Sequence, residues 1–532
     1  MEPLTWAGAL GPILNPLLLL AGGLYLVALA GLFATAFAGR RAGAVPGGGA
    51  AALPRGPAIG PAMIPAAVFG LVLYGLSLTS PADGLRGWFE GLAPSGWPAA
   101  SLAALAFLGA GLAVAAALQL PARRRYATLG HWSLAALVVV FLAYLIGGIL
   151  AQGAAKGILG WMSTRLVPVW IALLLTFALS ILWKRRLGLY GKLFDSTIGM
   201  IGFALVMFWV YTALFADLIV LRDPLTVISG LRNKPPGVPL PDGTGWYLLG
   251  GDSLARDVFS RMVLGAREVL GIAPTATLFA FMVGITLGLP SGYFGGRLDT
   301  MLTFLSNLVL AFPVILLFYL LVTPEIVETG IPRVMAAVLF LFPIIFLAIL
   351  FNSRFHTQPM TRNILIALVL VIGFWLYSGL AFDADPLGIV SIRPNILIVF
   401  VSVVFVNSPT VYRIVRGLAL DIQTREYVAA AQTRGEGPWY IMLWEILPNA
   451  RGPLIVDFCL RIGYTTILLG TLGFFGLGVS PESPNWGSTI NEGRKLLSIA
   501  PFPAVVPALS LMSLVLGLNL LADGLREESL KD

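Results

Sequence analysis

Residues 426–449 read EYVAAAQTRGEGPWYIMLWEILPN. This polar, helix-forming stretch lies between two long apolar runs, 394–413 and 453–480. Ala429, Ala430 and Ala431 are strong helix formers with minimal side chains. Gly435 can stop that helix by adopting φ > 0. Leu447-Pro448 is expected to end a second helical piece, because proline disfavours helix in the residue before it. The spacing therefore predicts a helix–turn–helix strung between membrane spans, with a small-residue face that allows close backbone approach. A membrane protein that orders a hairpin in such a loop offers a surface for docking. The plainer alternative is an interfacial amphipathic hairpin, with Trp439, Tyr440 and Trp444 as an aromatic belt.

Composition supports the membrane setting. Of 532 residues, 58% are hydrophobic and only 11% are charged. The mean hydropathy is +0.89. A soluble domain carries far more charge, so most of this chain must lie in a bilayer. Spanning segments must satisfy their own backbone, which predicts helices. The alternating pattern of a membrane barrel is absent. The net charge of +8 does not indicate nucleic acid, because the basic residues sit in short loops beside apolar runs. Cys459 is the single cysteine, so no intrachain disulfide can form. His131 and His356 are far apart in sequence and do not suggest a metal site.

Apolar runs of spanning length occur at 9–37, 60–80, 98–119, 131–151, 165–183, 196–221, 267–290, 300–323, 333–352, 363–381, 394–413, 453–480 and 501–522, about thirteen in all. The basic tracts Arg40-Arg41, Arg123-Arg124-Arg125 and Lys184-Arg185-Arg186, with Arg354 and Arg362, fall on one side if the N-terminus is outside and the C-terminus cytoplasmic. A signal peptide fits poorly, because no basic region precedes the first run. Residues 42–62 read as a Gly/Ala/Pro link. In 222–250, Pro235-Pro236, Pro239 and Pro241 argue against helix.

Further motifs flank these runs. Residues 251–267 are GDSLARDVFSRMVLGAR, 291–299 are SGYFGGRLD, 473–494 are GFFGLGVSPESPNWGSTINEGR and 519–526 are NLLADGLR. In this order, and with the 426–449 loop, they resemble the permease subunit of dipeptide, oligopeptide and nickel ABC importers, specifically the C-type partner of the permease pair. The likeness covers roughly 190–324 and 390–532. It implies an all-α polytopic membrane protein, with a core of about six spans, about five extra N-terminal spans in 1–189 and a two-span insertion at 325–390 interrupting the core of 190–532. The additions read as scaffold or docking elements, since neither holds a cluster of intramembrane charges.

The resemblance implies an ATPase-coupling loop at Glu426, Ala429, Ala430, Ala431, Gly435, Leu447 and Pro448. It implies an external, binding-protein side at Asp252, Arg256, Asp257, Arg261, Pro484, Trp486, Gly487 and Glu492. Departures are plain: Ala429 stands where the family usually has Glu, Gly251 and Ala255 replace its Thr and Gly, and Leu469 replaces an expected Glu. Implied partners are a second homologous permease, two P-loop ATPase subunits, an external substrate-binding protein and membrane lipid, with no nucleic acid. The localisation implied is a bacterial inner membrane.

No G-x-x-x-x-G-K-[ST] occurs anywhere in the chain, so ATP hydrolysis needs another subunit. The chain is thus expected to be no enzyme, to have no catalytic or metal residues and no cofactor of its own, with ATP and Mg on partner subunits. Peptides are the expected cargo. A nickel or other small-solute importer of the same family is the alternative. An ion-coupled secondary transporter fits less well, because the spans are nearly free of acids. Asp457 and Arg461 share a helix face and are expected to form an intrahelical ion pair. Asp252 and Asp257 fit no Ca²⁺ loop and are expected to anchor an external amphipathic helix.

Overall fold

A computed structural model describes residues 3–42, 122–220, 222–240, 243, 245–382, 384–385, 388, 394–477 and 483–529. The expected runs at 60–80 and 98–119, and the 42–62 link beyond Ala42, lie outside the described residues. The long elements are α1 (Gly11–Ala42), α2 (Ala122–Leu150), α3 (Gly157–Arg165), α4 (Val167–Trp183), α5 (Thr197–Leu214), α6 (Val258–Phe294), α7 (Gly296–Leu310), α8 (Val314–Val322) and α9 (Ile331–Leu339). They continue with α10 (Leu341–Arg354), α11 (Pro359–Phe382), α12 (Pro394–Ile422), α13 (Glu426–Thr433), α14 (Arg451–Phe475), α15 (Trp486–Arg494) and α16 (Phe502–Ser529). Among the described residues, nine helices are long and apolar enough to cross a membrane, or up to ten if one bent pair counts as a span. The chain is an all-α polytopic membrane protein at this level.

Its contacts form two compact units: residues 1–167, 228–257 and 496–502, and residues 168–227, 258–495 and 503–532. In the first, α1 packs along α2 around Ala7, Leu14, Val140 and Tyr144. Among its described residues, the proline-rich stretch there holds no helix, as expected. It holds a short antiparallel hairpin, β1 (Val238–Pro239) with β2 (Trp246–Tyr247), pairing Val238 with Tyr247 and Pro239 with Trp246.

The second unit is organised by α6 and α12. Gly284, Gly288 and Gly292 recur every fourth residue, so they line one face of α6. A Cβ at Gly284 would lie 2.9 Å from the Tyr412 amide nitrogen, one at Gly288 would lie 2.9 Å from the Tyr412 carbonyl oxygen, and one at Gly292 would lie 2.8 Å from the Arg416 carbonyl oxygen. These contacts leave no room for any side chain. Lipid supplies no hydrophobic drive between helices, so such close backbone packing is what holds spans together. Asn407 of α12 donates to Thr465 of α14 at 3.2 Å, adding a buried polar link to the seam. Within α14, Arg461 pairs with both Asp457 oxygens at 2.9 and 3.2 Å, the expected intrahelical pair.

Two expectations need correction. The run at 300–323 is not one straight span: α7 and α8 meet at 83°. Pro313 caps α8 without an N–H of its own and excludes helix from Phe312, which breaks the ladder there. Nor is there a separate external helix before the second core run. Residues 258–294 form one helix through Pro274 and Pro290, because the apolar sequence after Asp257 continues the helical pattern without a stop signal.

The seam makes a direct prediction. Gly288→Leu forces α6 and α12 apart and costs at least about 1–3 kcal/mol from overpacking. Gly271→Ala, on the same helix but with no atom within 4 Å of the added Cβ, is expected to be neutral or slightly stabilising. Thermal unfolding of the two detergent-purified variants checks the contrast; equal melting temperatures would contradict the seam.

Candidate functional site

The 426–449 loop is ordered and helical. Arg425, with extended backbone, caps α13, and Glu426 places an acid in its first turn where the helix dipole favours it. Gly435 ends the helix at φ +80°. Its amide donates to the Gln432 carbonyl at 2.9 Å, and the Glu436 amide reaches back to the Ala431 carbonyl at 3.3 Å. This pair of bonds is the Schellman cap, which needs a left-handed residue at its corner and hence glycine.

The second piece differs from expectation. Leu447-Pro448 does not end it. Residues 438–449 run as a helical turn (Pro438–Tyr440), a π turn (Ile441–Ile446) and a further helical turn (Leu447–Asn449), and α14 starts at Arg451. The π turn widens the spiral ahead of Pro448, so the missing N–H and the ring are absorbed without a break.

The three alanines separate by face. Ala431 is fully buried with Val428, three residues earlier. Both join a cluster with Leu289 of α6, Val411, Val415, Ala419 and Ile422 of α12, Ile441, Met442 and Ile446 of the π turn, and Leu454 of α14. Ala429 and Ala430 are exposed, as are Glu426, Gly435 and Pro448, while Leu447 is half-buried. Thus Ala431 welds the loop to the spans, and Ala429 and Ala430 present the small-residue face.

A polar cluster ties the root of this loop to the α6–α7 turn. Arg416, near the end of α12, grips both oxygens of Asp299 on α7, with Nη2 at 2.6 Å from Oδ2. Ser291 donates to Asp299 Oδ1 at 2.6 Å and shares a hydrogen bond with the Tyr412 hydroxyl at 2.7 Å. Sequence reasoning passed over this constellation. Its available signal was a single acid in the quoted 291–299 motif and an arginine shortly beyond the 394–413 run.

The residues of the 251–267 and 473–494 motifs serve mainly as architecture. Asp252 Oδ1 accepts from the Leu254 and Arg256 amides at 2.9 and 2.8 Å, and Oδ2 accepts from Arg256 Nε at 2.7 Å. Asp257 is buried and bridges to Gly251. Both acids therefore shape a tight turn ahead of α6, and the described residues contain no metal-binding group. Ala255, in the family's glycine position, has φ +62°.

Beyond that turn, Arg261 is 1% exposed, with Nη2 donating to Thr489 Oγ1 at 3.0 Å and to the Ser483 carbonyl at 3.2 Å. Trp486, also 1% exposed, donates from Nε1 to the Met262 carbonyl at 2.9 Å. Gly487 lies so close to α14 that a Cβ there would be 2.0 Å from the Gly470 carbonyl oxygen. These contacts fasten α15 to α6 and α14. Pro484 and Glu492 are half-buried and keep accessible surface. Near the same end, Arg267 donates to both oxygens of Asp217 at 2.9 and 2.8 Å, which holds that carboxyl below its ordinary range.

Residues 351–527 match the family described as "Binding-protein-dependent transport system inner membrane component". The chain is similar to the glutathione transport system permease protein GsiD of Pectobacterium atrosepticum, 31% identical over 287 residues that cover 54% of this chain and 72% of that protein. It is similar to the dipeptide transport system permease protein DppC of Alkalihalophilus pseudofirmus, 26% identical over 338 residues, 64% of this chain and 87% of that protein. It is likewise similar to DppC of Haemophilus influenzae, 26% identical over 328 residues, 62% of this chain and 88% of that protein. With a helical coupling-type loop welded to a multi-span core, the chain belongs to the family of inner-membrane permease subunits of binding-protein-dependent ABC importers, in the dipeptide and oligopeptide group, which leave ATP hydrolysis to separate subunits.

Proposed function

We propose that this chain imports peptides as one of two related permeases around a central pathway, driven by ATPase subunits that dock on residues 426–449. The carrying observation is the partition of the loop. Its inner face is continuous with the core through Val428 and Ala431, while its outer face offers Ala429 and Ala430 beside the exposed Gly435 corner. A rigid element with a small-residue outer face suits a cleft on a partner, and its buried face passes any displacement to α6, α12 and α14. ATP and Mg reside on the ATPases. Nucleotide shifts the permease between inward- and outward-facing states only so far as the ATPases bind those states differently.

The named relatives support peptides as cargo, through permeases for dipeptides and glutathione. The basic tracts support an N-terminus outside, a C-terminus in the cytoplasm and the coupling loop on the cytoplasmic side. On that topology, a core of about six spans carries about five extra N-terminal spans and the 325–390 pair, about thirteen in total. A substrate-binding protein docks outside near 222–267 and 480–494. Asp252, Arg256, Asp257, Arg261, Trp486 and Gly487 are buried, whereas Pro484 and Glu492 keep accessible surface and are the residues of that set best placed to meet it.

Four outcomes follow. Ala430→Trp fills the outer face without entering the core, so the permease is made normally but loses co-purifying ATPase and ATP-driven uptake. Ala431→Trp enters a full core and instead lowers the yield of folded permease. If Ala430→Trp retains ATPase and uptake, the docking assignment fails. Gly435→Val places a β-branched residue at φ +80° and weakens the loop by about 1–2 kcal/mol, read as a lower temperature of ATPase dissociation. Ala255→Gly relieves the left-handed strain at φ +62° and stabilises the permease by about 1 kcal/mol, read as a higher melting temperature with uptake unchanged.

A further inference from the structure

The corner between α10 and α11, at the start of the stretch 351–527 that matches the family model, meets the 426–449 loop. The corner follows α10, and α11 starts at Pro359. Ser353, on the last turn of α10, is buried. Its hydroxyl donates to the Leu350 carbonyl at 3.0 Å and accepts from Trp444 Nε1 at 3.1 Å. The Arg354 guanidinium lies 4.7 Å from the centre of the Trp444 ring. The His356 ring stands edge-on to Tyr440 at 6.0 Å. Beneath them, Phe346, Ile349 and Leu350 pack on the cluster that contains Ile441, Met442 and Ile446. Tyr440 and Trp444, which read from sequence as an interfacial belt, are therefore the contacts between the α10–α11 corner and the second half of the loop.

The location of these contacts gives them a role. Trp444 sits within the π turn 441–446, where the backbone departs from the α ladder and the helix is least well braced by its own hydrogen bonds. A load applied to α13 must cross residues 438–449 to reach α14. If that piece flexes, the load is dissipated. Trp444 is gripped on its edge by a hydrogen bond and on its face by a cation, two interactions of different geometry that together restrict both tilt and rotation.

We propose that Ser353, Arg354 and His356 are positioning residues for coupling: the α10–α11 pair clamps the second half of the loop, so that movement of α13 reaches the spans instead of bending the π turn. The proposal rests on reading residues 426–449 as the ATPase seat. It assigns the α10–α11 corner a mechanical task in coupling.

The test uses the complete importer, with this permease, its partner permease, the ATPases and the binding protein, in proteoliposomes. ATP hydrolysed per solute imported is measured beside the ATPase content of the purified complex. The double variant Ser353→Ala/Arg354→Gln is expected to keep wild-type ATPase content while the ratio rises about fivefold, the weight of about one net hydrogen bond. Arg354→Lys keeps a cation over the ring and stays near wild type. Trp444→Phe keeps an aromatic face under the cation but loses the N–H donor with the pyrrole ring; it gives a smaller rise in the same direction and serves if the double variant folds poorly. An unchanged ratio in a fully assembled Trp444→Phe or double variant overturns the clamp. Ala430→Trp runs alongside: if it alone abolishes ATPase content, the seat is upheld and only the clamp has failed, whereas if it changes nothing, the seat itself has failed.

Discussion

The glycine seam between α6 and α12 is the constraint on which the rest of the second unit depends. In lipid, apolar side chains gain nothing by moving from tails to a neighbouring helix, so association relies on close packing and buried polar bonds. Gly284, Gly288 and Gly292 supply the packing, and the Asn407–Thr465 link supplies polar glue on the adjoining face. At the loop-side end of the seam, the Asp299–Arg416 pair with Ser291 and Tyr412 locks the α6–α7 turn to the end of α12. The 426–449 loop begins a few residues later and hangs from this closely packed helix pair.

The same logic explains why the loop works as a solid element. A surface hairpin would keep its polar backbone wet and its alanines interchangeable. Here Val428 and Ala431 are drawn into the core of three spans, and the Schellman cap at Gly435 fixes the reversal of direction. What remains outside is small and regular. At the opposite motif, Arg261, Trp486 and Gly487 are used up in holding α15 against α6 and α14. The two motif regions thus use their residues differently: the loop leaves a small-residue face exposed, and the 473–494 motif fixes a segment in place.

Much of this was legible from residue order. Uninterrupted apolar runs must become helices when no water is available to the backbone, and the described helices follow those runs. Gly435 announced its own left-handed turn, because few other residues tolerate one. Proline was a less reliable guide. Pro313 broke a run that read as one span, while Pro448 was carried through by a π turn and broke nothing. A proline's local effect is known, but whether the chain bends or widens around it depends on what the flanking turns pack against.

By itself the sequence determined that this protein is a helical membrane permease, that it lacks a phosphate-cradling loop, and that residues 426–449 form a helical hairpin between spans. Those properties follow from composition, local periodicity and motif order, which need no partner in space. Only the tertiary structure decided which alanine faces inward, which motif residues are consumed by packing, and that Ser353 and Arg354 at the end of α10 grip Trp444. These depend on contacts between segments tens to hundreds of residues apart. Periodicity names the faces of a helix, but it cannot say which neighbour each face will meet.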